Sequence, residues 1–282
     1  MQISVVIVTH NEEANLARTL ASVKAIASEI IVVDSGSTDR TAEIAKSQGA
    51  KVFVEEWKGY AAQKNSAIEK ATGDWILSLD ADEEVEVPLA EAIIATLESI
   101  ERVKQLSRQQ DAHHFMVQNA SAEIGKYLDG NANPKLSGFS LSRKNHFLGR
   151  WIKHGGFWPD PKLRLFRRRA GKFEDRSVHE TVKIEGETAH INQGALVHHS
   201  YPTLSEYIEH MNRYSSLGAE MVVANGGQKF PVLNIVFRPL FTFLYNYIFR
   251  GGFLDGREGL LLHIYHSIYV SWKYAKAWEL SR

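Results

Sequence analysis

Cysteine is absent from the 282 residues, which excludes structural disulfides and thiolate metal sites and suits a reducing, cytoplasmic setting. Excess charge is absent too: 33 basic side chains balance 33 acidic ones. A general nucleic-acid binder carries a basic surplus, so no nucleic-acid partner is expected. The N-terminal MQISVVIVTHNEE lacks a basic leader, and its apolar run ends after a few residues, so no signal peptide is expected. No G-x-G-x-x-G follows that run, which speaks against a dinucleotide cofactor. Internal repeats and low-complexity tracts are missing. The most polar break, SRQQDAHH at 107–114, is the candidate seam between two halves.

What is present is an ordinary share of apolar residues, 44%, enough for a real core. ISVVIVT (3–9), EIIVVD (29–34), AKVFVEE (50–56) and DWILSLD (74–80) are short apolar runs of the kind found in strands buried on both faces. Between them, residues 13–26, the stretch SGSTDRTAEIAKSQG and residues 60–73 read as helices, the last with Gly73 as its C-cap. This alternation predicts an α/β fold with an open parallel sheet and right-handed crossovers. Such sheets bind ligands outside the carboxyl ends of their strands. Thr9, His10, Asn11, Asp34, Asp80 and Asp82 all fall at those ends. Three clusters far apart in sequence are thus expected on one rim.

The second half is less regular. A helix is predicted over 88–100, short strands over 113–118, 138–143, 161–168 and 177–184, and a long helix over 204–223. Two further helices are predicted from Pro231 onward, around RGGFLDGREG.

LSLDADEEV (77–85) gathers four carboxylates where a core strand stops. Two carboxylates one residue apart suit a hard divalent cation, Mg²⁺ or Mn²⁺, which favours oxygen ligands and substrate phosphates. A diphosphate so held becomes a good leaving group. Solvated loop acids are the plainer alternative for an Asp-x-Asp. Asp34 opens DSGSTD, where Ser37 or Thr38 would cap a helix and Asp39 would favour its positive end. Asp34 itself could accept from the imide N–H of a nucleotide base.

SVVIVTHNEEANL, IIVVDSGSTDRT and GYAAQKNSAIEKATGDWILSLDADEE resemble the nucleotide half of the family 2 glycosyltransferases, in the family's order over roughly residues 1–90. HGGFWPDPKLRLFRR, RSVHE and RPLFTFLYNYIFRGGFLDG resemble a narrower branch that includes bacterial lipopolysaccharide core β-1,4-glucosyltransferases. The resemblance implies the GT-A fold: a Rossmann-like, mostly parallel nucleotide half, a mixed acceptor half, and here C-terminal amphipathic helices. It implies inverting transfer of a hexose, with glucose as the expected sugar, from a UDP-sugar to a lipid-linked cell-envelope glycan such as an inner-core heptose. It places Thr9, Asn11 and Glu12 in the nucleoside pocket, Asp34 on uracil, and Lys64 and Asn65 near the ribose and phosphates. Asp80 would meet the ribose or the metal's water shell, Asp82 the metal, and His198 would complete the metal site. Glu83 and Glu84 are not required. The division expected is 1–106 for the nucleotide-sugar half, 107–203 for the acceptor half, and 204–282 for a helical region.

Inverting transfer needs a base for the attacking hydroxyl. Asp160, Glu174, Asp175 and Glu180 are the available carboxylates. The resemblance favours Glu180, in VHE, with Asp175 as runner-up. His179 is ambiguous. Trp151, Phe157 and Trp158 could form a sugar platform or part of the core. Arg164, Arg167, Arg168, Arg169 and Lys172 read as one basic strand edge, or as an attraction for phosphates.

The stretch 231–249 is nearly long enough to span a bilayer, but Arg238 and Pro239 sit near its middle. A central Arg costs about 2.5–3.5 kcal/mol on insertion, which a helix lying in the interface avoids. The expectation is a peripheral enzyme on the inner face of the cytoplasmic membrane. The same helices could pack on the core or make a homo-oligomer interface. Two rival functions are a sugar nucleotidyltransferase, whose glycine-rich first loop is missing from THNEEAN, and a non-catalytic membrane-interaction protein on a transferase scaffold.

Overall fold

The computed structural model describes residues 1–108, 127–129, 135–174, 181–227 and 231–282. By contact, the described chain forms two compact units. One holds 1–108, 127–129, 135–143, 161–174 and 181–198; the other holds 144–160, 199–227 and 231–282.

In the first unit, β1 (Ile3–Thr9), β2 (Glu29–Asp34), β3 (Lys51–Val54) and β4 (Trp75–Asp80) alternate with α1 (Leu16–Val23), α2 (Thr41–Ser47) and α3 (Tyr60–Glu69). β1 pairs in parallel with β2 and β4, and β2 with β3. The expected continuous apolar strands are buried because helices cover both faces: Val5, Ile7 and Leu77 join one core cluster, and Val6, Ile31 and Ile76 the other. The register levels the strand ends. Thr9 lies opposite Asp34, and Val8 opposite Asp80.

Beyond β4 the pairing turns antiparallel. The elements are β5 (Glu83–Val85), α4 (Val87–Arg108), β6 (Leu128–Asp129), β7 (Leu136–Phe147), β8 (Arg150–Trp151), β9 (Lys162–Arg167), β10 (Gly171–Glu174), β11 (Thr181–Ile184) and β12 (Glu187–Tyr201). Among the described residues the sheet order is β3-β2-β1-β4-β9-β7-β12-β5. β6 joins β12, β8 joins β7, and β10–β11 form a separate ribbon. The helix expected over 88–100 runs on to Arg108, into the presumed polar seam. The strand expected over 113–118 lies outside the described residues.

Gly73 is not the C-cap of α3, which ends at Glu69 with Lys70 as its C-cap. Its N–H donates to Ser4 Oγ at 2.9 Å, and a Cβ there would meet Ser4 Oγ at 2.7 Å and the Gln2 carbonyl at 2.9 Å. Close approach, not a left-handed turn, is why glycine stands there. Nor do Ser37 and Thr38 cap α2. The N-cap position is Arg40, and Asp39 just before it accepts from the N–H of Thr41 at 3.0 Å.

The second unit packs α5 (Leu204–Ala224) against α7 (Gly256–Leu280), with a broken helix between them in sequence. That helix is α6 (Arg238–Phe243) flanked by π-helical turns Leu233–Phe237 and Leu244–Phe249. Pro239 supplies no N–H to the ladder, and such defects loosen a helix locally. Two Gly-Gly-Phe turns, at 155–157 and 251–253, interlock. Gly155 N–H donates to the Arg250 carbonyl, and Asp255 accepts from the N–H groups of Lys153 and His154.

Candidate active site

β4 carries Asp80 to the rim. The strand restarts at once as β5, which pairs with β12 so that Glu83 faces His198. Thr19 Oγ1 donates to the Ala81 carbonyl at 2.7 Å, pinning the turn between the two strands. The four carboxylates therefore stand in four different environments.

Asp80 lies between two cations. Lys64 Nζ on α3 is 2.8 Å from Oδ1, and Arg164 on β9 bonds Oδ2. Burial would raise the Asp80 carboxyl, but Arg164 and then Lys64 outweigh it and hold it well below the usual range. Asp82 Oδ2 lies 3.2 Å from His198 Nε2. Burial again opposes ionisation, and the nearby His198 reverses it, so Asp82 is lowered. Glu83 is completely buried. Its Oε2 accepts from the Asp80 N–H at 3.0 Å, and its Oε1 accepts from Arg164 at 2.7 Å and Arg143 at 3.3 Å. Glu84 forms a partly exposed pair with Arg18 at 3.5 Å.

A metal can be tested against this geometry. Neighbouring ligands on an octahedral ion with bonds of about 2.1 Å lie roughly 3.0 Å apart. The 3.2 Å between Asp82 and His198 fits such a pair. Among the described residues no group of three or more His, Cys, Asp or Glu could hold a metal ion. Two protein ligands, with the rest from substrate and water, is the pattern usual for Mg²⁺.

The β1 side approaches the same place. Glu12 is raised, first by burial and then by the negative charges of Asp82, Asp39 and Asp80. Thr9 is buried, with no partner for its hydroxyl among the described residues. Asn11 takes a left-handed φ of 53°. Its N–H donates to Ser37 Oγ, and its Oδ1 accepts from the Thr38 N–H, tying the loop after β1 to the loop after β2.

Asp34 is buried and turned into its own loop, accepting from the N–H groups of Gly36 and Ser37 and from the Ser37 hydroxyl. That uses three of about four lone-pair directions on a carboxylate. Asn65 pairs with the Phe173 backbone, donating to its carbonyl and accepting from its N–H, both at 2.9 Å. This extends α3 to β10 like a ladder rung. Lys64 lies over the Phe173 ring, 5.3 Å from its centroid.

Glu180, Asp175 and His179 lie outside the described residues. Glu174 pairs with Lys183 at 3.2 Å, and Asp160 accepts from Asn145 at 2.9 Å. The expected basic edge at 164–172 breaks up. Arg164 points to the rim, Arg167 stacks on Trp75, and Arg168 donates to the Gly73 carbonyl. Arg164, Arg143 and Glu83 are the site residues that sequence reasoning undervalued. The available signal was an arginine set inside the apolar run LRLF, since a buried arginine requires a partner. In the second unit Trp151 lies edge-on to Trp158, with Lys144 and Lys153 over its ring at 4.7 and 4.5 Å.

Residues 4–170 match the family described as Glycosyl transferase family 2. The chain belongs to glycosyltransferase family 2. The match covers more than half of the chain and selects glycosyl transfer over nucleotidyl transfer. As a member of this family, the chain has the α/β GT-A fold followed by C-terminal helices. An uncharacterized glycosyltransferase of Rickettsia typhi is 29% identical over 99% of this chain and 88% of its own. The lipopolysaccharide core biosynthesis glycosyltransferase LpsC of Rhizobium meliloti is 27% identical over 99% of this chain and 93% of its own. Among solved structures, glucosyl-3-phosphoglycerate synthase of Mycobacterium tuberculosis, described with Mn²⁺ and UDP, is 26% identical. It matches 35% of this chain and 39% of its own at a TM-score of 0.30, too partial an overlap to transfer its ligands.

Proposed function

We propose that this glycosyltransferase moves a hexose, glucose, from a UDP-sugar to a lipid-linked cell-envelope glycan, with an inner-core heptose of lipopolysaccharide as the acceptor. The observation that carries the donor reading is the pairing of Asp82 with His198 beside a carboxylate, Asp80, already neutralised by Lys64 and Arg164. LpsC, similar along nearly its whole length, supports the acceptor class.

In this reading 1–106 serves the donor, 107–203 the acceptor, and 204–282 the membrane side. Thr9, Asn11 and Glu12, with Asp34 and the loop it organises, bind the nucleoside. Lys64 and Asp80 flank the ribose and phosphates, and Asn65 keeps α3 in place. Asp82 and His198 hold a divalent ion, Mg²⁺ or Mn²⁺, which would supply positive charge to the leaving diphosphate. Glu180, or failing it Asp175, takes the proton from the attacking hydroxyl on the face opposite the departing UDP. The enzyme works as a peripheral protein at the inner face of the cytoplasmic membrane, where such an acceptor is made.

The test is turnover of UDP- and GDP-sugars with a lipopolysaccharide-core acceptor, with and without Mn²⁺. Metal-dependent UDP release that requires the acceptor is expected. Release that ignores metal, or a preference for GDP-sugars, would overturn the donor assignment. Glu180→Gln should keep donor binding and lose transfer. An active Glu180→Gln beside a dead Asp175→Asn would move the base to Asp175.

A further inference from the structure

The helix over 232–249 turns one side to its neighbour, and its other side is left uncovered by the described residues. On the inner side, Pro239 is buried, Ser271 of α7 donates to the Ile235 carbonyl at 2.8 Å, and Arg238 reaches the Tyr274 hydroxyl. On the outer side, Leu233, Phe237, Phe241, Leu244, Ile248 and Phe249 are exposed, Phe241 by 66% and Phe249 by 78%. Leu233, Phe237, Phe241, Leu244 and Ile248 recur every three or four residues and Phe249 adjoins them, so they form one stripe along a helix roughly 27 Å long for 18 residues at helical rise. Soluble surfaces seldom leave so many large apolar side chains together. Among the described residues no helix is long and apolar enough to cross a membrane.

Charge selects the occupant. Between 231 and 257 the chain has Arg238, Arg250 and Arg257, all exposed, and a single acid. That acid, Asp255, is buried and consumed by the N–H groups of Lys153 and His154 and by the His154 ring at 2.9 Å. Glu258, the next residue, is only partly exposed and pairs with Arg150 at 3.4 Å, so the described residues of this stretch leave exposed arginines and no fully exposed acid beside the stripe. A second copy meeting it across a two-fold would bring the same arginines to the same rim. An anionic bilayer offers hydrocarbon to the stripe and phosphates to the arginines.

We infer that this face is a docking surface for anionic phospholipid, on which the helix lies in the plane of the headgroups. The inference rests on the membrane reading above and names the surface that performs it. The arginines sit level with lipid phosphates while the phenylalanines and leucines enter the acyl boundary.

The experiment floats full-length protein with phosphatidylcholine vesicles, with and without phosphatidylglycerol, beside the triple variant Phe237→Gln, Phe241→Gln, Ile248→Gln. These side chains are exposed, so the variant should unfold at the wild-type temperature. Wild type is expected to bind anionic vesicles more than about ten-fold better than neutral ones, and the triple variant to lose more than about ten-fold of that binding. Arg257→Gln should lower binding to anionic vesicles alone. If wild type fails to float with anionic vesicles, both this surface and the membrane reading fall. If wild type and triple variant float equally, this surface is wrong and the membrane reading stands. Equal binding to neutral vesicles overturns the anionic selection. A wild-type dimer that the triple variant turns into a monomer, without vesicle binding, gives the face to a second copy and overturns the inference.

Discussion

Asp80 and Asp82 are two residues apart and held in different ways. Asp80 is neutralised by Lys64 and Arg164, whereas the Asp82 carboxylate faces His198. Asp82→Asn should cost metal-dependent turnover no less than the roughly 10–100-fold that loss of an outer-shell partner costs, with the fold intact. Unchanged turnover at limiting Mn²⁺ would remove Asp82 from the metal site. Arg164 is the shared cation of Asp80 and buried Glu83. Arg164→Met leaves both acids short of a partner and should cost about 3–5 kcal/mol in urea unfolding. A loss below about 1 kcal/mol would mean that Lys64 and Arg143 suffice. His263, 1% exposed and without partners for either ring nitrogen among the described residues, is pushed down to about 4, chiefly by burial. Its unfolded form takes up a proton first as pH falls from about 6.5. Stability is therefore lost between about 6.5 and 4, by at most about 1.4 kcal/mol per pH unit for one proton. His263→Gln should flatten that acid limb in denaturation curves taken across this range. An unchanged limb would place the proton uptake on other groups.

Elements position these residues through crossings that local sequence does not announce. The loop between α3 and β4 reaches β1 only because Gly73 has no Cβ to strike Ser4 and the Gln2 carbonyl. Gly73→Ala should destabilise the protein by about 1–3 kcal/mol, the usual cost of overpacking. Urea midpoints of the variant and wild type decide it, and equal midpoints would show that the N-terminal residues yield freely. The β5–β12 pairing is the other such crossing, since it sets His198 beside Asp82 across more than a hundred residues of chain.

At the scale of the molecule, the residues proposed for donor binding and those proposed for membrane docking belong to different units, so each proposed function should respond to its own ligand. UDP with Mn²⁺ at a hundred times its Kd should raise unfolding stability by about 2.7 kcal/mol. Asp82→Asn should lose the share of that gain that depends on Mn²⁺. The triple variant of the apolar stripe should keep all of it. Calorimetric scans of the three proteins with and without ligand test this, and loss of the gain in the stripe variant would show that the two functions are not separable.

The parallel half was legible without coordinates. Unbroken β-branched runs such as ISVVIVT can be buried only between two helical layers, and burial on both faces demands β-α alternation. That alternation placed Thr9, Asp34 and Asp80 on one edge, as the strand register has them. The apolar character of the stripe was also foreshadowed, by a stretch at 231–249 that is nearly long enough to span a bilayer but is interrupted by Arg238. Antiparallel partners were not legible, because pairing across long separations depends on which edges remain free after the parallel core has formed. Hence Arg164 looked like one of several arginines on a basic strand edge, and Glu83 read equally as a supporting residue or a solvated loop acid. Only the tertiary structure could bring them together, since a buried charge becomes stable solely where the fold delivers its counter-charge.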